Sequence, residues 1–228
     1  MTQTTLICFF KYKGFKNKWG ALGRMGRPPV SLSKINGLTF FKPLGTGSGN
    51  GFSILPDFST FGFVAVFETE EHAKEFTNSK NIEQYKKTAT DFSIVFMKTI
   101  KSHGEWSKQN PFKSTVDLDK KKPLAIITRA TIKPKLAFTF WKYVPSVSKS
   151  MDNYKELLYS KGIGEFPLLM QATFSVWSSA DAMFDYAYSN PKHAEMVKKT
   201  RELNWYSEEL FARFEPYKVE GSLLPIFL

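Results

Sequence analysis

The chain has one cysteine, Cys8, and three histidines, His72, His103 and His193, among 228 residues. A single thiol rules out an internal disulfide and any zinc site built on thiolates, and it fits a reducing compartment. No run approaches ~20 apolar residues, the length that spans a bilayer as a helix. From Met1 to Lys13 the apolar stretch is too short, and lacks the cleavage pattern, for a signal peptide. A cytoplasmic protein is the expectation. No Gly-x-Ser-x-Gly elbow occurs, so a hydrolase triad of that kind has no nucleophile. Gly45 to Gly51 reads Gly-x-Gly-x-Gly-x-Gly, but neither a Gly-Lys-Ser/Thr ending nor a helix-forming run follows. That excludes a P-loop or a dinucleotide fingerprint and leaves a lid or a close-approach loop over a ligand.

What is abundant is phenylalanine, with 22 copies, and positive charge, with a formal net +11. Phenylalanine at this level implies an aromatic-packed core or a pocket for a large apolar ligand. The charge admits nucleic acid, an anionic membrane surface or an acidic ligand as partner, although runs such as Lys120 to Lys122 read as solvated loops.

The periodicity predicts one unit used twice. Strands are expected over Thr5–Tyr12, Leu38–Leu44, Phe61–Phe67 and Phe92–Ile100. Helices are expected over Lys16–Arg24, Glu70–Asn78 and Ile82–Thr90, with Thr69 as an N-cap. A stretch rich in Lys, Pro, Ser and Asp follows, and the pattern then restarts. A strand over Leu124–Ile132 is followed by helical material over Leu136–Tyr143 and Val147–Ser160. Phe166–Trp177 is β-rich, helices fall over Ala180–Ser189 and Pro191–Asn204, and Trp205–Tyr217 holds a closing strand. Phe67, Thr69, Phe76 and Ser79 match Trp177, Ser179, Tyr186 and Ser189 at one constant offset. The fold class is therefore α+β: two ferredoxin-like β-α-β-β-α-β repeats at 1–107 and 124–228, joined by a linker at 108–123, of the dimeric α+β barrel type. The two sheets either close within one chain or pair with a second copy.

At the same offset Glu83 faces His193, so only the second repeat carries a histidine there. Met196 and Val197 follow it on the same helical face, which implies an inward-looking imidazole. The plainer reading is a packed or capped core histidine. With no second histidine or carboxylate three or four residues away on that face, a metal cage is not expected. Haem needs only one imidazole, because the macrocycle supplies the other four nitrogens. Phe174, Trp177, Met183, Phe184 and Trp205 are candidate apolar walls, and Arg129, Arg201 and Arg213 are candidate cations for the propionates. His72, set among Glu70, Glu71, Lys74 and Glu75, and His103, in a Lys-Ser-His-Gly turn, both read as solvated. Cys8 reads as a buried structural thiol. A rival reading is an RNA-recognition module, since Phe61-Gly62-Phe63-Val64 matches the centre of its third-strand signature.

One long segment is more specific. Lys161-Gly162-Ile163-Gly164-Glu165-Phe166-Pro167 is followed by Gln171-Ala172-Thr173-Phe174-Ser175-Val176-Trp177 and by Ala180-Asp181-Ala182-Met183. His193-Ala194-Glu195 and Thr200-Arg201 lead to Trp205 through Phe214. Together with Phe41-Lys42-Pro43-Leu44, Thr128-Arg129-Ala130-Thr131 and Phe140-Trp141, this pattern resembles the spheroidene monooxygenase family of carotenoid-modifying enzymes. The resemblance implies a haem-dependent monooxygenase of an acyclic carotenoid or similar apolar substrate. Its cofactors would be haem b, with its iron, O2 and an external electron-donor protein. It further implies His193 as the metal ligand, Arg201, Phe174, Met183 and Trp205 at the cofactor, and Arg129 and Gln171 as catalytic residues. No nucleic-acid partner is expected, and peripheral membrane association would give access to the substrate. The alternative is a non-catalytic haem or apolar-ligand binder.

Overall fold

The computed structural model describes residues 2–26, 34–49, 53, 55–143 and 154–225. Eight antiparallel strands close into a barrel within the single chain, in the order β1-β3-β2-β6-β7-β5-β8-β4. The first half supplies β1 (Thr4–Lys11), β2 (Leu38–Gly47), β3 (Pro56–Phe67) and β4 (Asp91–Gly104). The second supplies β5 (Leu124–Ile132), β6 (Leu157–Phe166), β7 (Met170–Trp177) and β8 (Tyr206–Gly221). Each half places its strands in the same relative order, first strand between third and fourth, as a ferredoxin-like unit requires.

Alternation along the strands builds two kinds of core. One set faces the barrel interior: Ile7, Phe9, Val64, Val66, Ile127, Phe174, Ala212 and Phe214 are all buried there. Trp106 and Phe112, on the path between the halves, fill the same interior. The opposite set faces outward, beneath helices. In the first half, α1 (Phe15–Gly26), α2 (Glu70–Thr77) and α3 (Lys80–Thr88) flank the sheet, and Leu6, Cys8, Phe10, Phe63, Phe67, Ile94 and Phe96 pack with Phe76 and Ile82. In the second half, α4 (residues 137–143), α5 (Ala180–Ser189) and α6 (Pro191–Leu203) occupy the outer side. Equivalent hydroxyls start equivalent helices: Thr69 Oγ1 accepts from the His72 amide and Ser179 Oγ from the Ala182 amide.

Two expectations change. Leu157–Ser160, read as helical, opens strand β6; its residues alternate faces, with Tyr159 packed on Phe9 and Phe174 inside the barrel. Glycines at 162 and 164 disfavour a helix there and suit a crowded sheet. His72 is half-buried rather than solvated: its ring lies so close over Gly37 that a Cβ at 37 would stand 1.9 Å from Nδ1. His103 is exposed, as expected. Of the glycine-rich loop, Gly45–Gly47 belong to β2, and Asn50, Gly51, Phe52 and Ile54 lie outside the described residues. Among the described residues no helix is long and apolar enough to cross a membrane.

Candidate active site

The two halves can be compared position by position, because their strand registers correspond. In the first half Cys8 stands between Phe63 and Ile94, and Phe10 between Phe61 and Phe92. In the second, Thr128 stands between Thr173 and Phe211, and Ala130 between Gln171 and Glu209. Phe96 corresponds to Arg213 through their pairing with Leu6 and Ile126, and Phe41 to Ser160 through Ala65 and Ser175. The outer floor of the second sheet, which gains Phe211 where the first half has Ile94, has therefore exchanged Phe10, Phe41, Phe61, Phe63, Phe92 and Phe96 for Ala130, Ser160, Gln171, Thr173, Glu209 and Arg213. Each exchange removes a ring that fills space under the helices in the first half.

The consequence is visible in exposure. Cys8 and its neighbours on the first sheet are buried, whereas Thr128, in the middle of a central strand, is exposed, and Thr173 and Phe211 beside it are half-buried. This open strip separates two apolar clusters on the same face. On one side lie Leu124, Ile126, Trp177, Met183 and Tyr186; on the other lie Ile132, Phe140, Trp141 and Trp205.

Two polar groups of this floor have no hydrogen-bond partner among the described residues. Ser160 Oγ is buried and makes no hydrogen bond, and Arg213 Nε is likewise buried and unpaired. Arg213 lies over the rings of Phe184 and Phe211, at 5.0 and 5.2 Å from their centroids. Among the described residues no carboxylate forms an ion pair with it. A guanidinium held this way by aromatic faces, with a buried N–H unsatisfied, is suited to an anionic group of a bound molecule.

The residues expected at the site divide by sheet face. Met183 and Trp205 reach the outer side, one in each cluster flanking the strip. The Trp205 indole N–H is buried with no acceptor among the described residues. Gln171 also faces outward, opposite Ala130, but its amide nitrogen donates to the Phe166 carbonyl at 3.1 Å. Phe174 does not join them. It points into the barrel, packed on Phe9 and Tyr159, because alternate residues of β7 take opposite faces and Thr173 takes the outer one. Arg201 is exposed in the last turn of α6. His193 stands in the first turn of α6; its side chain lies outside the described residues.

Arg129 is also on the interior face, two residues from Ile127, and is buried. It is ion-paired with Glu208 and lies 3.4 Å from Glu165. Glu165 also accepts from the Trp106 indole at 2.7 Å and pairs with Lys42 at 2.9 Å. Glu208 further accepts from the Ser107 and Lys108 amides at 3.1 and 2.7 Å. Burial works against ionisation of Glu208, yet these amides and the guanidinium hold its carboxyl below the usual carboxylate range. Arg129 thus neutralises two carboxylates at one end of the barrel, on the opposite side of the sheet from α5. Sequence reading missed this network; its signal was the pair of acidic residues, Glu165 and Glu208, within strand-forming runs.

Cys8 is fully buried, and burial pushes its thiol up, away from the reactive thiolate. Phe61 and Phe63 are buried among Phe10, Tyr12, Phe76 and Tyr85. They present no stacking surface, which removes the basis of the RNA-recognition reading.

No protein-family model matches the chain. It is 32% identical over 219 residues to the spheroidene monooxygenase of Rhodobacter capsulatus, covering 95% of this chain and 91% of that protein. Identity to the spheroidene monooxygenase of Rubrivivax gelatinosus is 34% over 187 residues, 81% of this chain and 71% of the other. The match to the spheroidene monooxygenase of Cereibacter sphaeroides is 31% over 215 residues; it takes in 93% of this chain but 66% of that longer protein. Among solved structures, an aldoxime dehydratase aligns with TM-score 0.65 at 13% identity, over 95% of this chain and 82% of the other. A second aldoxime dehydratase, solved in complex with butyraldoxime, aligns with TM-score 0.63 at 8% identity, over 98% and 83%. At such identities these two share the fold alone.

Proposed function

This chain belongs to the spheroidene monooxygenase family, and from that premise we propose that it is a haem-dependent monooxygenase acting on an acyclic carotenoid or a similar apolar substrate. The observation that carries the haem reading is the second sheet's outer floor. Six rings of the first half are replaced there by small or polar side chains, and a half-buried guanidinium with no carboxylate partner among the described residues stands at its edge. A flat macrocycle with two carboxylates fits an open strip between apolar clusters and a cation.

In this reading His193 offers the imidazole, and Arg213 takes the propionate role expected of Arg129, with Arg201 as a second cation. Met183 and Trp205 supply apolar walls. Bound haem supplies the iron chemistry that activates O2, with electrons from a separate donor protein. The chain's own part is to hold the group, exclude water and orient the substrate. An imidazole gives less electron push than a thiolate, so nearby donors matter more. The hydroxyls of Thr128 and Thr173 are the donors this floor presents to solvent or ligand. A cytoplasmic protein working at a membrane face fits an apolar substrate.

The decisive measurement is an absorption spectrum of the full chain after addition of haem. A Soret band is expected in the wild type, in His72→Ala and in His103→Ala, and is expected to vanish in His193→Ala. No band in the wild type, or equal loss in all three variants, would remove haem from the proposal.

A further inference from the structure

We infer that α1 and the adjoining barrel end form a docking surface for an anionic lipid bilayer. The helix leaves Phe15 81% exposed, Trp19 65% and Leu22 36%. At 3.6 residues per turn these three share one stripe, about a third of a turn away from Ala21, the residue that packs on the sheet. Phe15 and Trp19 stack on each other in solvent, centroids 5.9 Å apart. Leu55, 68% exposed, and Phe58, 56% exposed, lie at the same end of the barrel, where the start of β3 pairs with the end of β1. Large apolar side chains grouped this way on a surface mark an interaction site.

The charge around them selects the partner. Between Met1 and Pro56 the sequence has no Asp or Glu and eight Lys or Arg. Lys11, Lys13 and Lys16 are exposed and Lys18 is half-buried, on and just before α1. The acids next to this end are occupied: Asp57 pairs with Lys161 at 3.5 Å, and Asp91 accepts from the Phe92 amide and the Ser222 hydroxyl. An aromatic and aliphatic stripe edged by lysines is the pattern of a helix lying in a bilayer interface, with rings at the headgroup level and cations toward anionic lipid. A second copy of this chain would bring the same positive field against itself. The inference deepens the carotenoid reading, since it names how an enzyme whose described residues form no spanning helix would reach a bilayer-dissolved substrate, but its test requires neither haem nor turnover.

Trp19 makes the test direct, because Trp106, Trp141, Trp177 and Trp205 are all buried. The full chain is mixed with vesicles of phosphatidylglycerol and phosphatidylcholine in equal parts, and with pure phosphatidylcholine. Binding to the first, with a blue shift of Trp19 emission and its quenching by bromine-labelled lipid, is expected. Phe15→Ser with Trp19→Ser is expected to lower vesicle partitioning at least about tenfold while leaving the circular dichroism spectrum unchanged. Lys13→Glu with Lys16→Glu is expected to lower it on anionic vesicles. Should the serine variant fail to fold, lipid quenching in the unmodified chain decides alone. Absence of vesicle binding overturns the inference, as does unquenched Trp19 emission. So would a dimer in sedimentation velocity that the serine variant abolishes, which would assign the face to a second copy. Single-stranded RNA binding lost in the serine variant, without vesicle binding, would assign it to nucleic acid.

Discussion

Position 173 holds a threonine where the first half has Phe63, and this exchange is testable by reversal. Thr173→Phe restores the ring to an open floor, so the protein is expected to fold with unchanged secondary structure yet take up no haem, as read by the Soret band after reconstitution. Uptake at the wild-type level would mean that the strip over β5 and β7 is not where the cofactor lies. On the other face of the same sheet, Arg129 answers to stability. Removing it takes one charged hydrogen-bond partner from Glu208 and from Glu165, which keep their amide, indole and Lys42 partners, a loss of about 1.5–3 kcal/mol. Arg129→Met is expected to lose about that much in urea denaturation. The pH dependence follows from Glu208, whose folded-state pKa is depressed. Its stabilising contribution is complete above the ordinary glutamate pKa of about 4.3. That contribution is lost as pH falls through the lower folded-state value. The denaturation midpoint should therefore drop on acidification below that range, and the drop should be shallower in Glu208→Gln.

Among elements, α2 and α5 occupy the same place in the two halves and start on the same chemistry. Their N-cap hydroxyls, Thr69 and Ser179, both sit on extended backbone and accept from an amide in the first turn. Loss of such a cap costs about 1 kcal/mol. Thr69→Ala and Ser179→Ala are each expected to lose about that much in chemical denaturation, and the two losses should add, since the caps share no partner. The caps, and the burial of Phe76 and Tyr186, were legible in the chain as a repeated spacing. Strand β6 was not. Lys161-Gly162-Ile163-Gly164 carries no long alternation of apolar residues, and its strand character comes from pairing with β7 and, by the short Gly45–Gly164 and Thr46–Ile163 contact, with β2. Tertiary pairing of that kind overrides local propensity.

At the scale of the molecule, the halves share one interior. Phe9 of the first half meets Phe174 of the second at 6.0 Å between centroids, and Phe112, from the segment joining them, packs against Phe214 at 5.0 Å. Two edges that would otherwise be open, β2 to β6 and β4 to β8, are closed against each other. Neither half keeps its inner face dry without the other. Thermal unfolding is therefore expected as a single cooperative transition, with far-ultraviolet dichroism and tryptophan fluorescence changing together. Two separated transitions would mean that the halves are independent domains.

The duplicated β-α-β-β-α-β order, the capping hydroxyls, the inert thiol and the family resemblance were determined by the order of residues alone, since each rests on local spacing or on motifs read along the chain. Which side of a sheet a residue faces was decided only by the closed barrel. Adjacent strand residues point opposite ways, so Phe174 and Arg129 turn inward while Thr173, Thr128 and Ala130 turn outward. The guanidinium on the outer floor is that of Arg213 and not of Arg129, because pairing across β5 and β8 turns it to that side, where no carboxylate among the described residues pairs with it.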